Sequence, residues 1–147
     1  MKEYIYLIVP FTSLILAQII KFTIESIQNK KLMWGRLFNG SAGMPSSHTS
    51  FSFSLTVLIL LIHGQTSPLF AISLIFSFIV AYDSMGVRLE SGKQAEAINK
   101  IVNEMFSQKP KITIARLKEQ IGHQPLEVLV GMLLGTIVSM IYYYFIF

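Results

Sequence analysis

Four long apolar segments constrain this chain more than any other feature of its sequence. They cover about residues 4–24, 47–62, 68–82 and 126–147, and polar connections separate them. A helix of about 20 apolar residues is long enough to cross the hydrocarbon core of a bilayer. Because no water is available there, the backbone must satisfy its own hydrogen bonds, which a helix does within one segment. The pattern predicts an all-α polytopic membrane protein with about four transmembrane helices.

The composition agrees with a single membrane domain covering residues 1–147. The chain is 52% hydrophobic and 14% charged, and its mean hydropathy is +0.56. The absence of cysteine excludes disulfides, thiolate catalysis and cysteine-ligated zinc. The net charge is +4, but no nucleic-acid-reading module is recognisable, so we expect no nucleic-acid partner. In so apolar a chain, basic residues more often mark cytoplasmic loops and anionic lipid surfaces.

The basic residues are distributed unequally among the three connections. Lys30, Lys31 and Arg36 lie in the first connection, and the second connection has no basic residue. The third connection holds Arg88, Lys93, Lys100, Lys109, Lys111, Arg116 and Lys118. The positive-inside rule therefore predicts a multi-pass cell-membrane protein with the first and third connections in the cytoplasm and both termini outside.

The third connection also contains an amphipathic segment at about residues 91–121. Its apolar residues recur at helical spacing through residue 106, which predicts one or two amphipathic cytoplasmic helices. Such a helix either lies on the membrane surface or packs over a site as a lid, and we favour the surface position. Lys109-Pro110 ends the first helix, and residues 113–121 are expected to form a second short one.

Two short polar segments, each with one histidine, open directly into apolar runs. In the first, Ser46, Ser47 and His48 lie where a helix is expected to start, and the free N–H groups of such a start bind anions. In the second, His123 precedes Glu127 by four residues, or one helical turn. A carboxylate placed there can fix the tautomer of the histidine. Alternatively, Glu127 only stabilises the start of its own helix, as a third-position carboxylate often does.

Three other features carry a structural and a functional interpretation side by side. Lys21 is either a cation that extends to the membrane interface or a ligand of phosphate. Asp83 and Arg88 form a simple ion pair or support the site. The Gly131 and Gly135 pair, at G-x-x-x-G spacing, packs helices within the chain or forms a homodimer. His63 lies in an uncharged turn on the opposite membrane face, and we assign it no chemistry.

These residues resemble a known family. Pro-Ser-Ser-His at residues 45–48 resembles the second signature of the type 2 phosphatidic acid phosphatase superfamily, which includes the vanadium haloperoxidases. Gly-His-Gln-Pro-Leu-Glu at residues 122–127 resembles its third signature. Residues 82–88, followed by Gly-Lys-Gln-Ala at residues 92–95, are similar to the divergent bacterial and plant branch. This resemblance extends from Lys21 to Gly135.

The resemblance implies metal-independent hydrolysis of a phosphate monoester or pyrophosphate through a phosphohistidine, without a cofactor. His123 is then the nucleophile, and Glu127 takes the place of the usual orienting aspartate. His48 protonates the leaving oxygen, while Ser46 and the backbone of Ser47 hold the phosphoryl oxygens. One neutral and one protonated imidazole also form a workable nucleophile and acid near pH 7 on chemical grounds alone.

The sequence departs from the superfamily at its cations. Leu117 stands where the third signature has a phosphate-binding arginine, and the first signature is absent as such. We predict that Arg88 and Lys21 replace these cations, with Asp83 and Lys118 as possible support. Four spans are also fewer than the usual six.

The leading hypothesis is a phosphatase that acts on a lipid phosphate at the cytoplasmic leaflet. Its partners are then the phosphorylated lipid and the bilayer, together with a second copy if Gly131 and Gly135 form a dimer. The alternative is a non-catalytic membrane protein that binds or moves phospholipid head groups with a decayed site.

Overall fold

The computed structural model describes residues 4–32, 43–106, 117 and 122–146, with the backbone alone at 104–106. Within these residues the chain forms five helices and no strand. They are α1 (Ile5–Gln28), α2 (Ser47–His63), α3 (Pro68–Met85), α4 (Val87–Phe106) and α5 (Pro125–Ile146). The predicted all-helical fold is confirmed.

The helices are long and apolar enough for a polytopic membrane protein. Among the described residues, α1, α5 and the stretch Pro68–Asn103 each meet the length and hydropathy of a membrane span. Helix α2 is apolar too, but with 17 residues it is shorter. At 1.5 Å per residue, it reaches about 25 Å, which is less than a typical hydrocarbon core.

Helix α2 is the centre of the bundle, packed against α1, α3 and α5. Its buried face consists mainly of small hydroxyl residues, which let neighbouring backbones approach closely. The Ser13 hydroxyl of α1 donates to the Ser50 carbonyl at 3.2 Å, and the Ser139 hydroxyl of α5 donates to the Ser54 carbonyl at 2.6 Å. On the third side, the Thr56 hydroxyl donates to the Ser73 carbonyl of α3 at 3.0 Å. Hydroxyl-to-carbonyl bonds thus connect α2 to all three neighbours.

The glycine pair of α5 packs within the chain. A Cβ atom added at Gly131 would lie 2.6 Å from the Ser46 carbonyl oxygen, and one at Gly135 would lie 2.5 Å from the Ser50 carbonyl oxygen. Both glycines are buried against α2. Of the two alternatives left open by the sequence, the structure contains the intramolecular one. A homodimer would need another surface.

Helices α3 and α4 follow each other with a break at Gly86. The Gly86 N–H still donates to the Tyr82 carbonyl at 2.8 Å, and α4 begins at the next residue. Helix α4 thus begins four residues before the predicted amphipathic segment. Its buried face contains Gly92, Ala95 and Asn99, while its charged residues up to Lys100 are exposed. The second short helix predicted within 113–121 lies outside the described residues, apart from Leu117.

Candidate phosphate site

The starts of α2 and α5 meet, and this contact brings the two histidine segments together. The Ser46 N–H donates to the Glu127 carbonyl at 2.9 Å, and Gly131 packs directly against Ser46. The two segments are therefore neighbours in space although 75 residues separate His48 from His123. A glycine at 131 is required because any side chain there would overlap the Ser46 backbone.

The His123 backbone is held by the junction of α3 and α4. Its N–H donates to the Ser84 carbonyl at 3.0 Å. Gly122 lies so close to the Leu89 backbone that a Cβ atom would overlap it. Ser84 and Leu89 were not among the predicted site residues. The only sequence signal for this contact is the glycine that precedes His123, and it does not identify the partner.

The His123 side chain is buried, with 1% of its surface exposed. Neither ring nitrogen has a hydrogen-bond partner among the residues that the structure describes. Burial lowers the pKa of His123 to about 4, and the positive charges of Lys21, His48 and Arg88 add to this effect. The imidazole is therefore neutral at pH 7, with its nucleophilic lone pair available. Lys21, His48 and Arg88 thus lie within electrostatic range of the ring.

His48 is the second residue of α2, and its side chain is exposed. It lies within electrostatic range of Arg88, Lys21 and Asp83. The structure thus brings both histidines and both predicted cations to the same end of the bundle. This end consists of the C-terminal half of α1, the starts of α2 and α5, and the junction of α3 and α4. We refer to it as the histidine end.

Ser46 and Ser47 lie at the start of α2, and both are buried. Ser46 is the N-cap: its hydroxyl accepts from the Thr49 N–H at 3.5 Å and lies 3.0 Å from the Thr49 hydroxyl. Its own N–H is bound to Glu127. The Ser46 side chain thus caps the helix, while the phosphate-holding role predicted for it stays a prediction. The helix start remains favourable for an anion because its dipole is positive there.

The Glu127 carboxylate lies at the start of α5. Its Oε2 atom accepts from the Gln124 N–H at 3.1 Å, while the Glu127 N–H donates to the Gln124 carbonyl at 3.0 Å. This reciprocal arrangement is how a third-position carboxylate stabilises a helix start. Among the described contacts, none joins this carboxylate to the His123 ring. In the structure, Glu127 therefore stabilises the start of its own helix, which is one of the two alternatives that the sequence left open. An orienting role for Glu127 stays a prediction.

Lys21 is buried in the bundle, with 1% of its surface exposed. A residue that extends to the interface as an anchor would keep its ammonium group in water. Instead, the Lys21 stem lies beside Gly43, where a Cβ atom would be 3.5 Å from both Cγ and Cδ. Gly43 has φ +105°, a backbone conformation that suits glycine. The structure therefore does not have Lys21 as an interfacial anchor, and its role as a phosphate ligand stays a prediction.

Arg88 and Asp83 form an ion pair across the α3–α4 break. The Arg88 Nε atom donates to Asp83 Oδ2 at 2.6 Å, and the side chains are 44% and 39% exposed. The pair agrees with the structural interpretation. An exposed pair contributes little to stability, typically about 0–1 kcal/mol. Since the bond uses one of five guanidinium N–H donors, it leaves the predicted role of Arg88 as a phosphate ligand open.

Leu117, six residues before His123, is bound to α4 through its backbone. The Asn99 carboxamide donates to the Leu117 carbonyl at 2.8 Å and accepts from its N–H at 3.0 Å. This position is the one that holds an arginine in the superfamily's third signature. Arg116 and Lys118, the neighbours of Leu117, lie outside the described residues. Within the described ranges, no group of three His, Asp or Glu side chains is arranged to hold a metal ion.

The family follows from comparison with known proteins. The model of the Divergent PAP2 family matches residues 3–138. The uncharacterized membrane protein YuiD of Bacillus subtilis (strain 168) is 38% identical over 149 residues, which cover 95% of this chain and 94% of that protein. No solved structure matches the chain. The chain is an all-helical membrane protein, and it belongs to the divergent PAP2 family.

Proposed function

We propose that the protein is a lipid phosphate phosphatase that works through a phosphohistidine on His123. The observation that carries this proposal is the surroundings of that ring. It is buried, both nitrogens are without a partner among the described residues, and Lys21, His48 and Arg88 act on it electrostatically. A neutral imidazole within electrostatic range of the Lys21 and Arg88 cations suits an anionic electrophile. Membership of the divergent PAP2 family supports the same chemistry.

The reaction has two steps. A ring nitrogen of His123 attacks phosphorus, a bond from nitrogen to phosphorus forms, and the bond from phosphorus to the ester oxygen breaks. The electron pair of that bond goes to the leaving oxygen, which takes a proton from His48. Water then attacks phosphorus, the bond from phosphorus to the His123 nitrogen breaks, and its electron pair returns to the ring. His48 accepts the proton of the water, inorganic phosphate leaves, and both histidines are again in their initial states. Lys21, Arg88 and the start of α2 stabilise the charge on the phosphoryl oxygens.

The substrate is a lipid phosphate because the histidine end belongs to a bundle of membrane-spanning length. The phosphate of such a lipid then matches the polar and charged residues of the histidine end, and its hydrocarbon chains match the bilayer around the bundle. We place this end at the cytoplasmic leaflet. The first and third connections carry the basic residues, and the positive-inside rule predicts that they lie in the cytoplasm. The starts of α2 and α5 follow these two connections.

Phosphate release from detergent-solubilised lipid phosphates tests the activity. The panel should contain a phosphatidate, a phosphatidylglycerophosphate and an isoprenyl pyrophosphate. We expect turnover of at least one, persistence of that turnover in a chelator, and inhibition by vanadate, which mimics the pentacoordinate phosphoryl group. Strict dependence on a divalent ion would contradict the phosphohistidine mechanism.

Cysteine labelling tests the membrane face, and the chain has no native cysteine to interfere. Gln65→Cys lies in the exposed turn between α2 and α3, and Lys93→Cys lies on the exposed face of α4. An impermeant thiol reagent applied to intact cells should label the first variant and spare the second. The reverse pattern would place the histidine end outside.

The Glu127 geometry favours a second candidate function. Its carboxylate stabilises a helix start and has no described contact with the His123 ring. A site that binds the phosphate of a lipid head group without cleaving it requires no such contact. Stabilisation by a phosphatidate without phosphate release from any member of the panel would identify this non-catalytic function.

A further inference from the structure

Helix α1 contains a buried acceptor that the proposed reaction does not use. The Gln18 side chain is half-buried, and its Oε1 atom is fully buried without a hydrogen-bond partner among the residues that the structure describes. A buried acceptor that is left unsatisfied costs about 1–3 kcal/mol. Native proteins rarely keep such a group unless a water molecule, a ligand or an ion meets it.

Two contacts of α1 fix the depth of Gln18 in the bundle. Five residues before it, Ser13 bonds to Ser50 of α2. Three residues after it, Lys21 lies beside Gly43, which precedes α2. Because the two segments run in opposite directions, Gln18 lies between these levels, at the depth of the Ser46–Ser47 helix start. That depth is where the phosphoryl group of the proposed reaction would be held.

Gln18 and Lys21 also share one side of α1. Residues three apart on a helix are neighbours, and Lys21 acts electrostatically on both histidines. Gln18 is therefore a helical neighbour of a cation that acts on the histidines. Lys21 supplies charge there, whereas a carboxamide oxygen recognises a hydrogen-bond donor.

We propose that Gln18 is a substrate-binding residue whose carboxamide oxygen accepts a hydrogen bond from a hydroxyl group of the bound lipid phosphate. This assignment rests on the proposed function only for the presence of a lipid phosphate, not for its hydrolysis. The hydroxyl is either the protonated oxygen of the phosphate monoester or an alcohol of the head group. In both cases the ligand satisfies an acceptor for which the described residues supply no donor.

Gln18→Leu tests the proposal, and Gln28→Leu is the matched control. The control makes the same change on the same helix, at an exposed residue. Both changes are made in a His123→Ala background, so that lipid is not consumed during the measurement. The midpoint of thermal unfolding is recorded in detergent, alone and with phosphatidate, with diacylglycerol as the unphosphorylated comparison.

We expect Gln18→Leu to unfold at the same temperature as the control or higher without lipid, because it removes an unsatisfied buried acceptor. The stabilisation by the lipid that supplies the hydroxyl, either phosphatidate or phosphatidylglycerophosphate, should require roughly twofold to tenfold more lipid, which corresponds to the loss of one neutral hydrogen bond. A structural role predicts the opposite pattern, namely a lower midpoint without lipid and an unchanged response to both lipids. That result would overturn the assignment.

The pH of the measurement and a second lipid distinguish the two sources of the hydroxyl. A phosphate monoester loses its second proton at about pH 6, so phosphatidate has a phosphate hydroxyl at about pH 5 and none at about pH 9. If that hydroxyl is the donor, the two variants should differ with phosphatidate only at the lower pH. If an alcohol is the donor, the two variants should differ with phosphatidylglycerophosphate at both pH values. A difference with phosphatidate that persists at about pH 9 would contradict the acceptor role.

Whether the wild-type protein hydrolyses these lipids is measured separately. Absence of turnover would count against the proposed function alone. The response of Gln18→Leu to lipid would still decide the binding role of Gln18.

Discussion

The two ends of the bundle each present a histidine on α2, but in opposite surroundings. At the histidine end, His48 lies close to a second histidine, two cations and a helix start. At the other end, His63 is exposed, and its Nε2 atom lies 2.7 Å from the Tyr6 hydroxyl, with the two rings stacked at 5.8 Å. Apolar residues of α1, α2 and α5 form the core near that end. The neighbours of each histidine therefore decide its role. His48 belongs to a site with charged residues, whereas His63 makes a local structural contact.

The two ends differ in the free-energy cost of burying their side chains. The apolar end contains Ile5, Val9, Leu58 and Val138, whose packing requires no compensation. The histidine end buries Lys21 and His123, whose charged or polar atoms are costly to remove from water. Arrangements with such a cost are common at functional sites. The predictions below test this contrast, beginning with the largest expected effect.

Replacing the two histidines at opposite ends should give the greatest contrast. His123→Ala should reduce phosphate release below detection and abolish any acid-labile phosphoenzyme, because the nucleophile is lost. His63→Ala should keep nearly full activity, since only the contact with Tyr6 is lost. Turnover and trapping of the phosphoenzyme provide the two measurements. Hydrolysis that survives in His123→Ala would contradict the phosphohistidine.

His48→Ala should slow the hydrolysis of lipid phosphates by roughly 10²–10⁴, the usual loss when a general acid is removed. Aryl phosphates with a very good leaving group should be affected much less, because their leaving oxygen hardly requires a proton. The comparison of kcat/KM for the two substrate types is the measurement. Equal losses for both types would show that His48 binds or orients the substrate instead.

Lys21→Gln should weaken catalysis and also change its pH dependence. The loss of a charge-assisted hydrogen bond predicts a decrease in kcat/KM of about 10-fold to 150-fold. With the pKa of His123 at about 4, the acid limb of the wild-type kcat/KM profile should lie near that pH, because protonation removes the lone pair.

Lys21 is one of the charges that lower this pKa, so in Lys21→Gln the acid limb should move upward, toward the ordinary histidine value of 6.5. Lys31→Gln, at an exposed position, is the matched control and should leave the profile unchanged. An acid limb at the same pH in both variants would mean that Lys21 does not act on the nucleophile.

Glu127→Gln should have the smallest effect, with a decrease in turnover of less than about tenfold. Glutamine at the third helical position can accept the Gln124 N–H as glutamate does. Glu127→Ala removes that bond and should reduce the free energy of unfolding by about 1 kcal/mol. Turnover and thermal unfolding should be measured for both variants. A loss above a hundredfold in Glu127→Gln at unchanged stability would instead support the orienting role.

The sequence was sufficient to predict the all-helical membrane fold because hydropathy is a property of each segment alone. The apolar runs required helices wherever they cross the bilayer. The short signatures at residues 45–48 and 122–127 were sufficient to indicate the family, since their residue types and order are visible without coordinates.

Contacts between distant segments were decided only by the tertiary structure. Neither signature indicates that the Ser46 N–H meets the Glu127 carbonyl, or that the Ser84 carbonyl holds His123. The sequence left Lys21 with two interpretations, and its burial depends on how α1 packs beside Gly43. The Glu127 carboxylate could have faced His123 or the start of α5 at the same spacing. Such choices depend on which backbones can approach each other closely. The small side chains of α2 and the two glycines of α5 that face it determine that approach.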